Sequence, residues 1–134
     1  MTDMIQDIAA MHAKFGVNKT AATLSGDQLR TYLKFRIDMV QEEVTELKDA
    51  FDESDAEGVV DALIDAIVFA LGTLDVFGVD AAKAWTAVMD ANMAKEPGIK
   101  AGRPNPFGFP DLIKPEGWVG PSHEGNHGRI PEAL

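Results

Sequence analysis

Apolar residues recur at helical spacing in the first half of the chain and predict two helices there. The first helix spans residues 3 to about 15 and carries Met4, Ile8, Met11 and Phe15. A loop is predicted over residues 16–25. A Ser or Asp cap near residues 25–27 then starts a long second helix, which ends at about residue 51. Its apolar stripe consists of Leu29, Leu33, Ile37, Val40, Val44 and Leu47.

The predicted third helix, residues 56–77, is apolar on almost every side. A helix on a protein surface shows a polar face, so this pattern places the third helix at the centre of a bundle. The uncharged run between Asp65 and Asp75 has nine residues, whereas a membrane span needs about 20. The pattern therefore favours a bundle core over a membrane helix. Its apolar residues are Val59, Val60, Leu63, Ile64, Ile67, Val68, Phe69 and Leu71.

A helix stop at residues 78–80 precedes a fourth predicted helix over residues 81–95. All seven prolines lie from Pro97 onward, among many glycines, and exclude a long helix there. We therefore predict an all-α fold: a four-helix bundle domain at residues 1–96 and an irregular Pro/Gly-rich tail at residues 97–134. The tail packs on the bundle or on a neighbouring subunit, because it keeps Phe107, Phe109, Leu112, Ile113 and Trp118.

The amino-acid composition limits the kinds of ligand and chemistry that the protein can use. The chain has 22 acidic and 12 basic residues, a net charge of −10, and no cluster of Lys or Arg. Nucleic acid binding is not expected, because phosphate attraction requires a basic surface. The absence of cysteine excludes thiolate metal ligands and thiol nucleophiles. The first residues show no signal-peptide pattern and no span is predicted, so we expect a cytoplasmic protein without membrane contact.

Two acidic pairs occupy the second and third predicted helices. Glu43 and Glu46 are three residues apart, Asp61 and Asp65 are four apart, and each pair therefore projects from one helix face. If the helices face each other, four carboxylates converge. Asp61 and Asp65 lie in the most apolar segment, where a buried carboxylate costs free energy unless it is paired or metal-bound. Oxygen-only ligation favours Mg²⁺, with Mn²⁺ as the alternative, over zinc.

Spacing alone leaves other interpretations open. A single Glu-x-x-Glu is most often a solvated helix face. The two aspartates can also be neutralised by basic residues of the second helix, namely Arg30, Lys34 and Arg36. A di-iron bundle requires Glu-x-x-His on its helices, and no such motif occurs in the chain.

Further motifs accompany the acidic pairs: His-x-x-Phe-Gly at residues 12–16, Asn-Met-x-Lys at residues 92–95 and Lys-Pro-x-Gly-Trp at residues 114–118. With these motifs in this order, the chain resembles the MazG-like all-α nucleoside triphosphate pyrophosphohydrolases. This family is related to the phosphoribosyl-ATP pyrophosphohydrolases. The resemblance covers about residues 4–96 and is weaker in the tail. The small single-domain members from phages and bacteria are the most similar. The second acidic motif of the family is Glu-x-x-Asp, and Asp-Ala-Leu-x-Asp runs occur in the small members. Asp65 matches its Asp, but Ala62 stands in place of the Glu, so Asp61 is the substitute and Glu57 a spare candidate.

The resemblance implies hydrolysis of a (deoxy)nucleoside triphosphate to the monophosphate and pyrophosphate, which controls a nucleotide pool. It implies that Glu43, Glu46, Asp61 and Asp65 bind Mg²⁺ and that Glu43 or Glu42 is the general base. dGTP, dUTP and dCTP are the candidate substrates, and a homodimer or homotetramer is expected. The alternatives are phosphoribosyl-ATP as substrate or a non-catalytic helical interaction module. The implied substrate-binding residues are Arg36, Asn92, Lys95, His12, Phe15 and Trp118.

One further motif is typical of a different chemistry, that of zinc proteases. Residues 123–127 read His-Glu-x-x-His, the zinc protease signature. That chemistry requires a helix to place both histidines on one face. Gly125 lies inside the motif, and Gly120, Pro121 and Gly128 flank it. No helix and no zinc hydrolase site are therefore expected here.

Overall fold

The computed structural model describes residues 2–103 and 106–134. This part of the chain is mostly helical, which confirms the predicted all-α class. No single helix in it is long and apolar enough to cross a membrane. The helices are α1 (Met4–Lys14), α2 (Val17–Ala21), α3 (Asp27–Asp52), α4 (Ala56–Val76) and α5 (Ala81–Met93).

Side-chain caps define where two of the helices begin. The Asp3 carboxylate accepts hydrogen bonds from the backbone N–H groups of Ile5 and Gln6, both at 3.1 Å. The Asp55 carboxylate accepts one from Gly58 N at 3.0 Å. Each cap satisfies donors of a first helical turn that have no partner within the helix. The starts of α1 and α4 thus follow from single aspartates in the sequence.

The short helix α2 lies where the sequence analysis predicted a loop, so that prediction is wrong for residues 17–21. Gly16 has φ +69°, a left-handed conformation that reverses the chain directly after α1. Ala21 is buried in the core. A helix of five residues is too short to show a full apolar period, which is why the pattern did not reveal it.

The chain forms two compact units. One, the helical unit, contains the residues up to Ala81 together with Gly125–Leu134, and the other, the small unit, is Ala82–Glu124. This division differs from the predicted boundary after residue 96. It groups most of α5 with the first part of the Pro/Gly-rich segment, and the last ten residues with the long helices.

In the helical unit, α3 and α4 pack along each other, and α1 packs against α4. The hydrophobic core lies at the end of this pair, where α2, the end of α4 and a C-terminal 3₁₀ helix (Ile130–Ala133) meet. Phe77 and Leu29 are its largest fully buried side chains. Its members are Ala21, Leu29, Val76, Phe77 and Ala133.

The C-terminal segment closes this core. Arg129 donates side-chain hydrogen bonds to the carbonyls of Ala21 at 3.1 Å and Leu24 at 2.6 Å, and its backbone N–H donates to Phe77 O at 2.6 Å. Gly128 has φ +53°, and a Cβ there would overlap the Phe77 carbonyl. The segment therefore reaches the core only because residue 128 has no side chain.

One face of α4 is exposed, so the predicted central position of this helix is wrong for the single chain. Val60, Leu63, Ile64 and Ile67 are 62, 48, 52 and 41 % exposed. A further apolar set is exposed on α3, namely Phe35, Ile37, Val44 and Phe51. An apolar pattern shows that a helix face avoids water, but it does not show whether the covering surface lies in the same chain.

In the small unit, two short strands pair antiparallel: β1 (Glu96–Gly98) and β2 (Asp111–Ile113). The predicted absence of a long helix is confirmed, but the segment is less irregular than expected. The buried Asp111 carboxylate accepts hydrogen bonds from Lys100 N at 3.1 Å and from Arg103 Nη1 at 3.2 Å. These bonds hold the connection between the strands.

Candidate active site

Glu43 is the most unusual side chain of the α3–α4 interface. It is 6 % exposed, and its Oε2 atom is buried without a hydrogen-bond partner among the described residues. Buried carboxylate oxygens almost always have a partner, and leaving one unpaired costs free energy. A bound group that is not part of the polypeptide, such as a cation, would supply the missing interaction with Glu43 Oε2.

The surroundings of Glu43 are acidic. Burial raises the pKa of the Glu43 carboxyl above its ordinary value, and the negative charges of Glu46, Asp65 and Glu42 raise it further. Glu46 on the same helix and Asp65 on α4 therefore lie close enough to Glu43 for their charges to act on its carboxyl. Like charges gathered in this way favour either a shared proton or a bound cation.

The fourth predicted ligand, Asp61, is exposed and takes no part in raising the Glu43 pKa. It lies one helical turn before Asp65, on the same face of α4. Glu57, the spare candidate, is exposed in the first turn of α4. Over residues 2–103 and 106–134, no three His, Asp or Glu side chains are already placed to hold one ion. The four-carboxylate site stays a prediction.

Arg36 lies seven residues before Glu43, on the same face of α3. It is buried, its Nε donates to Thr73 Oγ1 at 3.0 Å, and its Nη2 donates to the Phe69 carbonyl at 3.1 Å. The guanidinium also lies over the Phe69 ring, 5.4 Å from the centroid. Arg36 thus fastens α3 to α4, and its contact with phosphate stays a prediction.

His12 belongs to a buried polar cluster. It is 3 % exposed, and its Nδ1 lies 2.7 Å from Asp75 Oδ2, which also accepts a hydrogen bond from Asn18 at 3.1 Å. A Cβ on Gly72 would lie 3.2 Å from the imidazole and 2.5 Å from Arg36 Nη2. The absence of a side chain at Gly72 therefore lets both His12 and Arg36 approach α4 closely.

Phe15 follows α1 and is 69 % exposed. The Lys14 ammonium lies 5.3 Å from its ring centroid. Phe15 lines a groove of about 300 Å³ with Tyr32 and Leu24. The ring is free to contact a ligand, unlike His12, although both belong to the same sequence motif.

The other predicted substrate-binding residues cluster in the small unit. Lys95 Nζ donates to Asn92 Oδ1 at 2.9 Å and lies 5.2 Å from the Trp118 ring centroid. Lys114 Nζ lies 4.9 Å from the same centroid. The indole N–H of Trp118 donates to the Ala91 carbonyl at 2.7 Å. The structure thus joins the Asn-Met-x-Lys and Lys-Pro-x-Gly-Trp motifs.

A comparison with known protein families identifies the family of this chain. The family model described as phosphoribosyl-ATP pyrophosphohydrolase matches residues 9–92. This chain belongs to that family. A search of curated proteins finds no significant match. As a member of the phosphoribosyl-ATP pyrophosphohydrolase family, the protein is an enzyme that hydrolyses a pyrophosphate linkage of a nucleotide, and the resemblance drawn from its motifs is confirmed.

The matched segment of this pyrophosphohydrolase contains α3, α4 and the complete acidic set. It also contains His12, Phe15, Arg36 and Asn92. Lys95 and Trp118 lie beyond it. The acidic residues therefore belong to the part that is common to the family, while the Lys95–Trp118 cluster extends past that part.

The residues around Glu43 fit a divalent cation. Glu43 offers a buried oxygen without a partner, and Glu46 and Asp65 add negative oxygen donors. Such oxygens suit Mg²⁺ or Mn²⁺. That Glu43, Glu46, Asp61 and Asp65 of this pyrophosphohydrolase hold such an ion stays a prediction.

The His-Glu-x-x-His segment of the pyrophosphohydrolase is not helical, as predicted. Gly125 has φ +75° in a turn. Asn126 is buried, with its side chain accepting from Asp80 N at 2.8 Å and donating to Asp80 O at 2.9 Å. The segment therefore has a structural role, and its histidines lack the helical placement that a zinc protease needs.

Sequence reasoning missed four residues that support the site, namely Asn18, Gly72, Thr73 and Asp75. Asp75 carried a usable signal, because it is an acidic residue in the last turn of an apolar helix and needs a partner there. Gly72 carried a weaker one, since an interior helix glycine costs stability and often permits close packing. Asn18 and Thr73 showed no signal, because their partners are distant in sequence.

Proposed function

We propose that this enzyme hydrolyses a (deoxy)nucleoside triphosphate between the α- and β-phosphates and releases the monophosphate and pyrophosphate with Mg²⁺, or Mn²⁺, as cofactor. The observation that carries the proposal is the Glu43 carboxylate, which is buried, partly unpaired and surrounded by like charges. An acidic site that handles a polyanion requires a cation, and an enzyme of this family provides the reaction class.

In this proposal Glu43, Glu46, Asp65 and Asp61 ligate the metal. A bound Mg²⁺ would neutralise phosphate charge and lower the pKa of the attacking water. Glu43 or Glu42 accepts the proton of that water.

The remaining roles concern substrate binding. Lys95 and Arg36 bind phosphate oxygens, because a protein of net charge −10 needs local cations there. Asn92 orients Lys95 through their hydrogen bond. Phe15 is a better candidate than His12 for contact with the base, because Phe15 is exposed and His12 is buried.

We also propose that the enzyme is a homodimer or homotetramer. The exposed apolar side chains of α3 and α4 support this, because exposed apolar surface can mark an interaction site. A second copy of the same chain would cover the face of α4 that carries Val60, Leu63, Ile64 and Ile67. The predicted central position of this helix would then apply to the assembly.

Identification of products from a substrate panel tests the proposal. The panel contains dGTP, dUTP, dCTP, their ribonucleotides and phosphoribosyl-ATP, each incubated with the enzyme and Mg²⁺ and resolved by anion-exchange chromatography. We expect a monophosphate and pyrophosphate from at least one triphosphate. Orthophosphate as the first product would reject the cleavage position. Turnover of phosphoribosyl-ATP alone would support the alternative substrate, which the family description favours.

Two variants separate catalysis from a non-catalytic module. Glu46→Gln and Asp65→Asn each remove one negative charge from the acidic cluster, and we expect both to lose most of their turnover. Asp49→Asn is the matched control, since Asp49 is exposed on α3. A module that only binds proteins would show no turnover, and its Mg²⁺ affinity would be the same in all four proteins.

A further inference from the structure

The proposed function gives no task to His12, whose imidazole is only 3 % exposed and is shielded from a nucleotide base. Its Nδ1 lies 2.7 Å from Asp75 Oδ2, and the Asn18 amide donates a second hydrogen bond to the same oxygen at 3.1 Å. An ionised carboxylate only accepts hydrogen bonds, so Nδ1 carries the hydrogen and Nε2 of the neutral ring is left as an acceptor. Asp75, itself held by Asn18, therefore fixes both the tautomer and the orientation of the imidazole.

The Nε2 end of the His12 ring lies close to the Arg36 guanidinium. A Cβ on Gly72 would lie 3.2 Å from His12 Nε2 and 2.5 Å from Arg36 Nη2, so these two nitrogens are no more than about 6 Å apart. Helix α1 carries the ring and α3 carries the guanidinium. Both side chains use the same gap in α4, which exists because residue 72 has no side chain.

Arg36 is a buried charge that needs compensation from its neighbours. No ion pair in the part of the chain that the structure describes includes it. Its Nε donates to the Thr73 hydroxyl and its Nη2 to the Phe69 carbonyl, both of which are neutral. A buried charge is costly unless nearby dipoles or charges offset the loss of water. The imidazole supplies part of that compensation, because the negative charge of Asp75 lies directly behind it.

Nη1 is the guanidinium nitrogen that is left for an anion. It takes part in neither hydrogen bond of Arg36 to α4. Glu43 Oε2 is the one buried side-chain polar atom without a partner among the described residues, so Nη1 keeps access to solvent. Arg36 and Glu43 are seven residues apart on α3, which is about 10 Å along the helix axis. A phosphate chain bound through a cation at Glu43 can therefore extend towards Arg36.

We propose that His12 is a positioning residue: its imidazole, oriented by Asp75, holds the Arg36 guanidinium in the arrangement in which Nη1 binds the substrate phosphates. This inference rests on the proposed function, which supplies the triphosphate and the phosphate contact of Arg36. It replaces the direct substrate contact that the His-x-x-Phe-Gly motif implied for His12. The two side chains of that motif thus differ in role, since Phe15 is exposed and His12 acts through Arg36.

Binding of inorganic triphosphate with Mg²⁺, measured by isothermal titration calorimetry, tests this role without a nucleotide. His12→Asn keeps a donor near the position of Nδ1, and with it the bond to Asp75, but loses the Nε2 end of the ring. We expect it to bind about fivefold more weakly than the wild type. His12→Gln, whose longer side chain reaches the Nε2 position, should keep most of the affinity.

His127→Asn is the matched control, because it makes the same change at an exposed histidine of the helical unit. It should bind inorganic triphosphate as the wild type does. Equal affinity in His12→Asn and the wild type, or an equal loss in His127→Asn, would overturn the proposal.

A double-mutant cycle with Arg36→Lys shows whether His12 acts through Arg36. Lys keeps the positive charge but lacks the planar set of donors that the guanidinium offers. We expect His12→Asn to weaken binding in the wild-type background and not in the Arg36→Lys background. Equal losses in both backgrounds would overturn the positioning role. Circular dichroism verifies folding, and Asp75→Asn, which removes the charge behind the ring, replaces His12→Asn in the cycle if that variant does not fold.

Turnover and coupling together separate this role of His12 from the proposed function. Turnover of a triphosphate without coupling between His12 and Arg36 would keep the proposed function and overturn the positioning role. Coupled binding of inorganic triphosphate without turnover of any nucleotide would do the reverse. A wild type that does not bind inorganic triphosphate would also overturn the role, because Arg36 would then have no phosphate to hold.

Discussion

The raised pKa of the Glu43 carboxyl makes the stability of the protein depend on pH. In the metal-free protein its raised pKa means that ionisation is less favourable in the folded state than in the unfolded state. The folded state then keeps a proton that the unfolded state loses, so the free energy of unfolding falls as the pH rises above the ordinary value of 4.5. The proposed divalent cation would reverse this effect, because it would stabilise the ionised form.

A pH series of Glu43→Gln in EDTA tests this at residue scale. The variant removes the charge and nearly preserves the shape of the side chain. We expect its melting temperature to exceed that of the wild type at pH 7, and the difference to shrink as the pH falls towards 4.5, because protonation of the wild-type carboxyl then removes the same charge. Thermal unfolding followed by circular dichroism measures both. A variant that is less stable than the wild type at pH 7 would contradict the assignment.

Gly72 gives a second prediction at residue scale. A Cβ here would lie 2.5 Å from Arg36 Nη2 and 3.2 Å from the His12 ring, so Gly72→Ala pushes on two buried polar side chains. We expect a loss of about 1–3 kcal/mol in the free energy of unfolding, as for overpacked cores. Chemical denaturation measures it. Gly102→Ala is the control, since nothing lies within 4 Å of its Cβ position, and an equal effect there would refute the packing argument.

At the scale of secondary-structure elements, the attachment of the C-terminal 3₁₀ helix to the core depends on the Arg129 side chain. Arg129 donates to the carbonyls of Ala21, the last residue of α2, and Leu24, in the connection between α2 and α3. Arg129→Ala leaves both carbonyls without this donor, and we expect a loss of about 1–3 kcal/mol. Arg30→Ala, at an exposed position of α3, should change the free energy of unfolding by less than about 0.5 kcal/mol. Similar losses in both variants would mean that the segment is not held by Arg129.

The helices differ in how far the sequence predicted them. The long helices α3 and α4 begin and end within about one residue of their predicted positions, because a sustained apolar period and an aspartate or glycine boundary mark them. The helix α2 and the pair β1–β2 were missed. Elements of three to five residues contain too little of a period to be recognised, and their pairing depends on residues that are distant in the chain.

The same contrast holds for the site. The sequence predicted acidic pairs on two helices that pack together, and the charges of Glu46 and Asp65 do raise the pKa of Glu43; the metal site itself stays a prediction. The network of Asp75, Asn18 and Thr73 could not be predicted, since it depends on how α1 and α2 fold back on α4. The roles of Arg36 and Trp118 also depend on their neighbours. Both residues support other side chains through contacts that no local pattern encodes.

At the scale of the whole molecule, the exposed face of α4 predicts self-association. Ile64→Asp places a charge on that face at a position that is already solvent-exposed in the single chain. We expect the variant to remain folded and to elute as a monomer, and the wild type as a dimer or tetramer, in size-exclusion chromatography with light scattering. Thr86→Asp, at an exposed position of α5, is the control. A monomeric wild type would contradict the proposed assembly.

Affinity for Mg²⁺, measured by isothermal titration calorimetry on the wild type, Glu43→Gln and Asp49→Asn at pH 7, tests the central claim most directly. The claim predicts that the wild type and Asp49→Asn bind the ion alike and that Glu43→Gln binds it at least about tenfold more weakly, since a ligand charge is lost. Equal affinity in Glu43→Gln and the wild type would contradict the claim that the buried carboxylate of α3 holds the catalytic cation.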